Sequence, residues 1–223
     1  MQVFKSMLLV LMVTILMVVA LLTHAQAAEV DQEVDLRKAG VYLVDDVLYV
    51  RGNTTNYQAS RVYELLRTNE VKRVVLSGNG GDLMAGLRIG RLIRAEGAVV
   101  QITSNTACVS ACALAALGAK DGRIMLGGAL LFHRGYIPKV PIMVTLDQLA
   151  QVNQYIAVVT TQYLLKMGYS ADFALRLAYE TSPCSFMLFQ STSAMRKLYY
   201  GVPELDAPKT KGYTIYDVCE AGR

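Results

Sequence analysis

Hydrophobic positions along the chain switch between a period of two and a period near 3.6. Val41–Leu43 and Val47–Val50 alternate around Asp45-Asp46, the pattern of a hairpin. Tyr57–Glu70 carries Val62, Leu65 and Leu66 at helical spacing. The β-branched run Val71–Leu76 predicts a strand that stops at Ser77-Gly78-Asn79-Gly80-Gly81. A second amphipathic helix follows over Asp82–Glu96, with Leu83, Leu87, Ile89 and Ile93, and then a buried strand over Ala98–Ile102. The small residues of Ala107–Leu117 have helical composition, and Ile124–Leu126 and Ala129–Phe132 read as strands split by Gly127-Gly128. Pro138 and Pro141 make Arg134–Thr145 a loop or lid. Leu146–Met167 predicts a long helix and Ser170–Tyr179 a shorter one. Ser191–Tyr200 predicts a further helix ending at Gly201, and Tyr213–Val218 a last strand beyond Pro203 and Pro208. Strands alternating with helices predict an α/β domain with a mostly parallel sheet. No repeat, low-complexity tract or linker divides it.

One segment stands outside this alternation. Met7–Leu22 is a 16-residue apolar run behind Lys5, followed by small residues at Ala25 and Ala27. That is the layout of a secretory signal peptide with an A-x-A cleavage site, and it is short for a spanning helix. The expectation is a signal peptide over residues 1–27, a single mature domain over 28–223, and export, taken as periplasmic. The alternative is an uncleaved anchor, which would make that segment the chain's one membrane contact.

Composition changes meaning once the leader is set aside. Hydrophobic residues are 53%, charged residues 18% and mean hydropathy is +0.33, which excludes a disordered or collagen-like chain. Net charge is +4 with no basic run, so no nucleic-acid partner is expected. Residues 1–27 hold Lys5, no acid, and His24. The mature chain therefore carries +3 and one histidine, His133. Cys108, Cys112, Cys184 and Cys219 all remain. An even number permits disulfides in an oxidising compartment. Neither zinc spacing nor a second histidine supports a metal site, and neither metal nor cofactor is expected.

Three features fall at predicted strand ends, where open α/β sheets place their sites. Gly80-Gly81 lets backbone N–H groups approach a ligand oxygen, as an oxyanion hole requires, although a glycine pair also makes a plain turn. Ser110 sits among small residues at a helix start, where the N–H of Ala111 is free to donate and the helix terminus favours negative charge; a serine there also serves as an N-cap. His133 ends the strand Ala129–Phe132, and imidazole is the usual base for a serine nucleophile.

Leu76-Ser77-Gly78-Asn79-Gly80-Gly81-Asp82-Leu83, Cys108-Val109-Ser110-Ala111-Cys112 and Leu131-Phe132-His133 together resemble the Clp protease proteolytic subunit. They resemble the exported Clp-protease-like proteins of bacteria more closely. The likeness runs from about Val41 to Gly201. Ser110 lies 30 residues after Gly80 and His133 lies 23 after Ser110, in that family's order and spacing. The resemblance implies a ClpP/crotonase-like spiral of ββα units with outer helices. It implies Ser110 as nucleophile, His133 as general base, and Gly81 and Ala111 as oxyanion donors with Gly80 shaping the turn. It also implies a peptide or protein substrate and a homo-oligomer built through the long helix Leu146–Met167.

The sequence departs from the pattern at the third triad member. Ser182-Pro183-Cys184-Ser185 occupies the expected position and holds no carboxylate; between His133 and Gly201 the acids are Asp147, Asp172 and Glu180. This leaves a Ser–His dyad, a triad completed by Glu180 or Ser185, or a degenerate site. A Ser–Lys dyad with Lys120 and an acyl-CoA role are weaker options. Cys184 with Cys219 is the expected disulfide; Cys108 and Cys112 are read as small core residues, with nucleophiles or a short disulfide as the alternatives. The function expected is an exported serine hydrolase, a peptidase. The alternative is a catalytically weak Clp-like scaffold that binds peptides or envelope partner proteins.

Overall fold

The computed structural model describes residues 38–124, 128–135, 144–190 and 214–217. The chain divides into two compact units, Met1–Asp35 and Leu36–Arg223. All described residues belong to the second. The signal peptide expected over residues 1–27, the proline-containing stretch of 136–143 and the helix expected over Ser191–Tyr200 lie outside them.

The alternating N-terminal pattern folds as expected. β1 (Gly40–Val44) and β2 (Val47–Thr54) form an antiparallel hairpin, with Asp45 at φ 53° in its turn. α1 (Asn56–Thr68) starts at Thr55, whose hydroxyl accepts from the N–H of Gln58 at 3.2 Å, a side-chain N-cap. Its buried stripe is Ala59, Val62 and Leu66. β3 (Arg73–Gly81) runs parallel to β2. α2 (Leu83–Glu96) is capped by Asp82, which accepts from the N–H of Ala85 at 2.8 Å, and ends at Gly97 in the left-handed region. β4 (Val99–Ile102) returns parallel to β3, and β6 (Gly122–Ile124) lies parallel to β4.

β3 is longer than the sequence predicts. It continues through the glycine stretch instead of stopping before it, because there it serves two neighbours. Asn53 and Thr54 of β2 pair with Gly80 and Gly81 past an irregularity at Gly52, and Gly78 pairs with Cys108 of β5 (Ala107–Val109). A Cβ on Gly78 would fall onto the Gly52 carbonyl. The glycines thus mark a close crossing of strands and not only a turn.

From β5 the sheet continues through β7 (Ala129–Phe132), parallel to it, then antiparallel to β8 (Ser185–Phe189) and β9 (Thr214–Asp217). Among the described residues the sheet has nine strands and divides at β3, with β4 and β6 off the main path. Parallel pairings outnumber antiparallel ones. Two strands were not foreseen: β5, inside a stretch read as helix, and β8.

α3 (Ala111–Ala116) is short and apolar and packs on α2. α4 (Leu146–Lys166) opens with a capping box between Thr145 and Gln148. α5 (Ala171–Glu180) is capped by Ser170 and packs on α4 and β8. Phe132 of β7, Phe173 of α5 and Phe189 of β8 meet edge to face at 5.9, 5.8 and 6.4 Å. Burying each contributes about 1.5–3 kcal/mol, and the cluster fixes the strand that carries His133. Tyr163 of α4 donates to the buried Leu114 carbonyl of α3 at 2.8 Å, and burial pushes its phenol far above the ordinary range. Among the described residues no helix is long and apolar enough to cross a membrane.

Candidate active site

The C-terminal ends of β3, β5 and β7 open on one cavity of about 760 Å³. Gly80, Gly81, Ser110, Ala111 and His133 all line it. The sheet register explains why residues so far apart in sequence meet there. β5 pairs in parallel with β7, Val109 opposite Leu131, and the N–H of Ser110 donates to the Leu131 carbonyl at 2.8 Å. His133 is then two residues further along the neighbouring strand.

Ser110 occupies the turn between β5 and α3 at φ 56°, ψ −121°. This is a sparsely populated conformation for a residue with a Cβ, costing about 1–3 kcal/mol, and such outliers cluster at functional sites. Its side chain makes no capping hydrogen bond, so the hydroxyl does not serve as the N-cap that the sequence also allowed. The carbonyl of Ser110 accepts from the N–H of Leu114 at 3.0 Å. Ala111, next in the chain, belongs to the first turn of α3, where N–H groups have no partner one turn back.

Gly80, at φ 84°, lies directly over this turn. A Cβ there would come 2.6 Å from the Val109 carbonyl oxygen, 2.7 Å from Ser110 Cβ and 2.9 Å from the Ala111 nitrogen. Only glycine admits so close an approach of β3 to the serine turn. Gly81 follows at φ 141°.

His133 is half-buried. Its Nδ1 lies 2.9 Å from the Arg134 carbonyl oxygen and its ring meets Phe186 edge to face at 5.0 Å. A carbonyl only accepts, so this hydrogen bond places a proton on Nδ1 and leaves Nε2 the basic nitrogen. Burial lowers the imidazole below its ordinary 6.5, and the Arg134 hydrogen bond opposes that in part. A neutral ring near pH 7 is what a general base needs.

The remaining candidates lie elsewhere. Glu180 ends α5, 3.1 Å from Arg176, and is absent from the cavity lining. Ser185 exchanges hydrogen bonds with Ser182 at 2.7 and 3.0 Å, and Lys120 is exposed; neither lines the cavity. Asp82, which precedes His133 in sequence, is the carboxylate among the described lining residues. Its oxygens accept from the N–H of Ala85 at 2.8 Å and from Asn56 Nδ2 at 3.3 Å. The outer wall comes from α4 and α5, including Ile156, Ala157, Ala174 and Leu177.

Cys108 and Cys112 are joined in a disulfide. This corrects their reading as small core residues, although both are buried. The turn between strand and helix brings their Cα atoms to 5.2 Å, within bonding range. Cys184 is also disulfide-bonded; its expected partner, Cys219, lies outside the described residues. Among the described residues no group of three His, Cys, Asp or Glu is placed to hold a metal.

No family model matches the sequence, and no curated protein matches it. Solved structures do. A serine-to-alanine mutant of the 1510-N membrane-bound stomatin-specific protease covers 71% of this chain and 79% of its own, at 14% identity and TM-score 0.47. A lysine-to-alanine mutant of that protease, in complex with a substrate peptide, covers 71% and 74% at 13% identity and TM-score 0.50. An asparagine-to-aspartate mutant of ClpP1 from Listeria monocytogenes covers 59% and 77% at 16% identity and TM-score 0.47. With a mostly parallel sheet that divides at β3 and helices packed along it, the match at 0.50 shows that this chain shares the α/β fold of that stomatin-specific protease.

Proposed function

We propose that the protein is an exported serine hydrolase, a peptidase that works by acyl transfer through Ser110 and His133. One observation carries the reading: Ser110 stands on a strained turn, uncommitted to capping, in the same cavity as His133 and the Gly80-Gly81 strand end. In the proposed reaction, Ser110 Oγ attacks the scissile carbonyl carbon while His133 Nε2 takes the hydroxyl proton. The tetrahedral oxyanion is received by the N–H groups of Ala111 and Gly81, with Gly80 holding their spacing. Its collapse breaks the C–N bond, and the imidazolium returns the proton to the leaving amine. Water, deprotonated by the same nitrogen, then releases the acyl group and restores Ser110. Asp82 takes no part in the proposed proton transfer, because it is engaged in capping α2.

The substrate is a peptide segment. Export rests on the sequence of residues 1–27. Self-association belongs to the same reading, since the first turns of α4 turn Leu146, Val152 and Tyr155 to solvent. A fluorophosphonate probe tests the chemistry: mature protein is expected to label at Ser110, and Ser110→Ala and His133→Ala are expected not to. Absence of serine-dependent labelling in folded protein overturns it. That outcome favours the second reading, a peptide-binding scaffold, which the absence of a carboxylate from Ser182-Pro183-Cys184-Ser185 already supports.

A further inference from the structure

We propose that the Cys108–Cys112 disulfide is a clasp that holds the Ser110 turn in its reactive conformation, which makes both cysteines positioning residues for the nucleophile. The inference rests on reading Ser110 as that nucleophile. The bond joins β5 to α3, the two elements on either side of Ser110, and encloses Val109, Ser110 and Ala111. Those three residues carry the positive-φ serine and the oxyanion-hole N–H together.

The turn needs such a restraint. A serine at φ 56° gains by relaxing toward the helical region, which would add a residue to the front of α3 and carry both Oγ and the Ala111 N–H away. α3 has six residues, too few to define its own start. Main-chain hydrogen bonds from Ser110 to Leu131 and from Leu114 to Ser110 frame the turn, but no capping bond from the serine fixes its first residue. The disulfide supplies that link. Cys108 and Cys112 are 0% and 5% exposed and belong to the hydrophobic core, so the clasp is anchored in that core. General stabilisation explains the bond poorly. The chain-entropy effect of a crosslink grows with loop length, and a separation of four residues is close to the least effective.

The test uses mature protein carrying Cys184→Ala and Cys219→Ala, so that the 108–112 pair is the remaining disulfide. Dithiothreitol supplies two electrons and two protons, converts the bond to two thiols and leaves as its cyclic disulfide. A Cys108→Ala/Cys112→Ala variant gives the same state without reductant. Both are compared with oxidised protein by hydrogen exchange of the peptide spanning 108–117 and by the rate of fluorophosphonate labelling. Opening the clasp is expected to speed exchange in that peptide at least tenfold, leave β2 and α1 unchanged, and slow labelling at least tenfold. Leu66→Ala, which weakens the fold from α1, is expected to lower the Tm and keep the labelling rate. Unchanged exchange at 108–117 overturns the clasp, as does faster exchange with undiminished labelling. If exchange speeds up in protein whose oxidised form never labels at Ser110, the clasp stands as the holder of the turn and the hydrolase reading falls.

Discussion

Replacing Gly80 by alanine tests the central geometry, and Gly97→Ala is its internal control. Both glycines have positive φ, 84° and 68°, so both substitutions force alanine into a left-handed conformation at about 1–2 kcal/mol. They differ in what the new methyl meets. At Gly97 nothing lies within 4 Å, and the conformational cost stands alone. At Gly80 the methyl meets Val109 O at 2.6 Å, Ser110 Cβ at 2.7 Å and Ala111 N at 2.9 Å. These are backbone or near-backbone atoms that cannot swing aside, and overpacking of this kind costs about 1–3 kcal/mol more. Gly80→Ala should therefore lose about 2–5 kcal/mol in urea unfolding against about 1–2 for Gly97→Ala. The methyl also displaces the Ala111 N–H. Losing one oxyanion donor costs about 10²–10³ in rate, so fluorophosphonate labelling of Ser110 should fall by that order in Gly80→Ala and stay level in Gly97→Ala. Equal stabilities with wild-type labelling in both variants would refute the claim that β3 sets the geometry of the serine turn.

Three further outcomes are expected. Burial holds His133 below 6.5 in the folded state, so the unfolded chain takes up the proton first as pH falls; stability is full above 6.5 and declines as pH drops through the lowered folded value. The acid limb of the labelling rate should accordingly lie below 6.5 in a pH profile, and a limb centred at or above 6.5 would contradict it. Tyr163→Phe removes a buried hydrogen bond to the Leu114 carbonyl and should cost about 1–3 kcal/mol in denaturant titration, with a smaller loss than 0.5 kcal/mol counting against that bond. Glu180→Gln should label within twofold of wild type, since Glu180 pairs with Arg176 away from the cavity lining; a tenfold loss would restore it as the third triad member.

The elements read correctly from sequence are those whose own residues specify them. The hairpin has a turn at Asp45-Asp46, α1, α2, α4 and α5 have side-chain caps, and β7 is bounded as predicted. The errors fall where a neighbour decides. β3 runs through its glycines because β2 and β5 approach there, a fact about other strands. β5 is three residues long and made of Ala107, Cys108 and Val109, indistinguishable by composition from the helix that follows. β8 left a usable signal in Phe186-Met187-Leu188-Phe189, an apolar run in which Met187 and Phe189 alternate into the core. That Ser110, His133 and Gly80-Gly81 would share one cavity was legible because chemistry-bearing residues at strand ends are few in this chain. The 108–112 disulfide was legible only as an alternative, because its geometry depends on the break between β5 and α3.

The acid that Ser182-Pro183-Cys184-Ser185 does not supply bears on how fast a site of the proposed kind can run. A triad carboxylate does two things: it fixes the imidazole tautomer and it stabilises the imidazolium once the proton has moved. At His133 the Arg134 carbonyl does the first, at 2.9 Å from Nδ1. Phe186 steadies the ring from the side. A neutral carbonyl contributes far less to the second, since charge-assisted hydrogen bonds are roughly twice as strong as neutral ones. The lowered pKa of His133 is the same statement in equilibrium form, because burial disfavours the cation more than the carbonyl restores it. The Arg134 carbonyl thus orients the ring without supplying a countercharge. In the proposed reaction, preorganisation of the serine turn and its oxyanion donors then matters correspondingly more. In this chain that turn is the part fixed from three sides, by the Leu131 carbonyl, the Gly80 backbone and the disulfide.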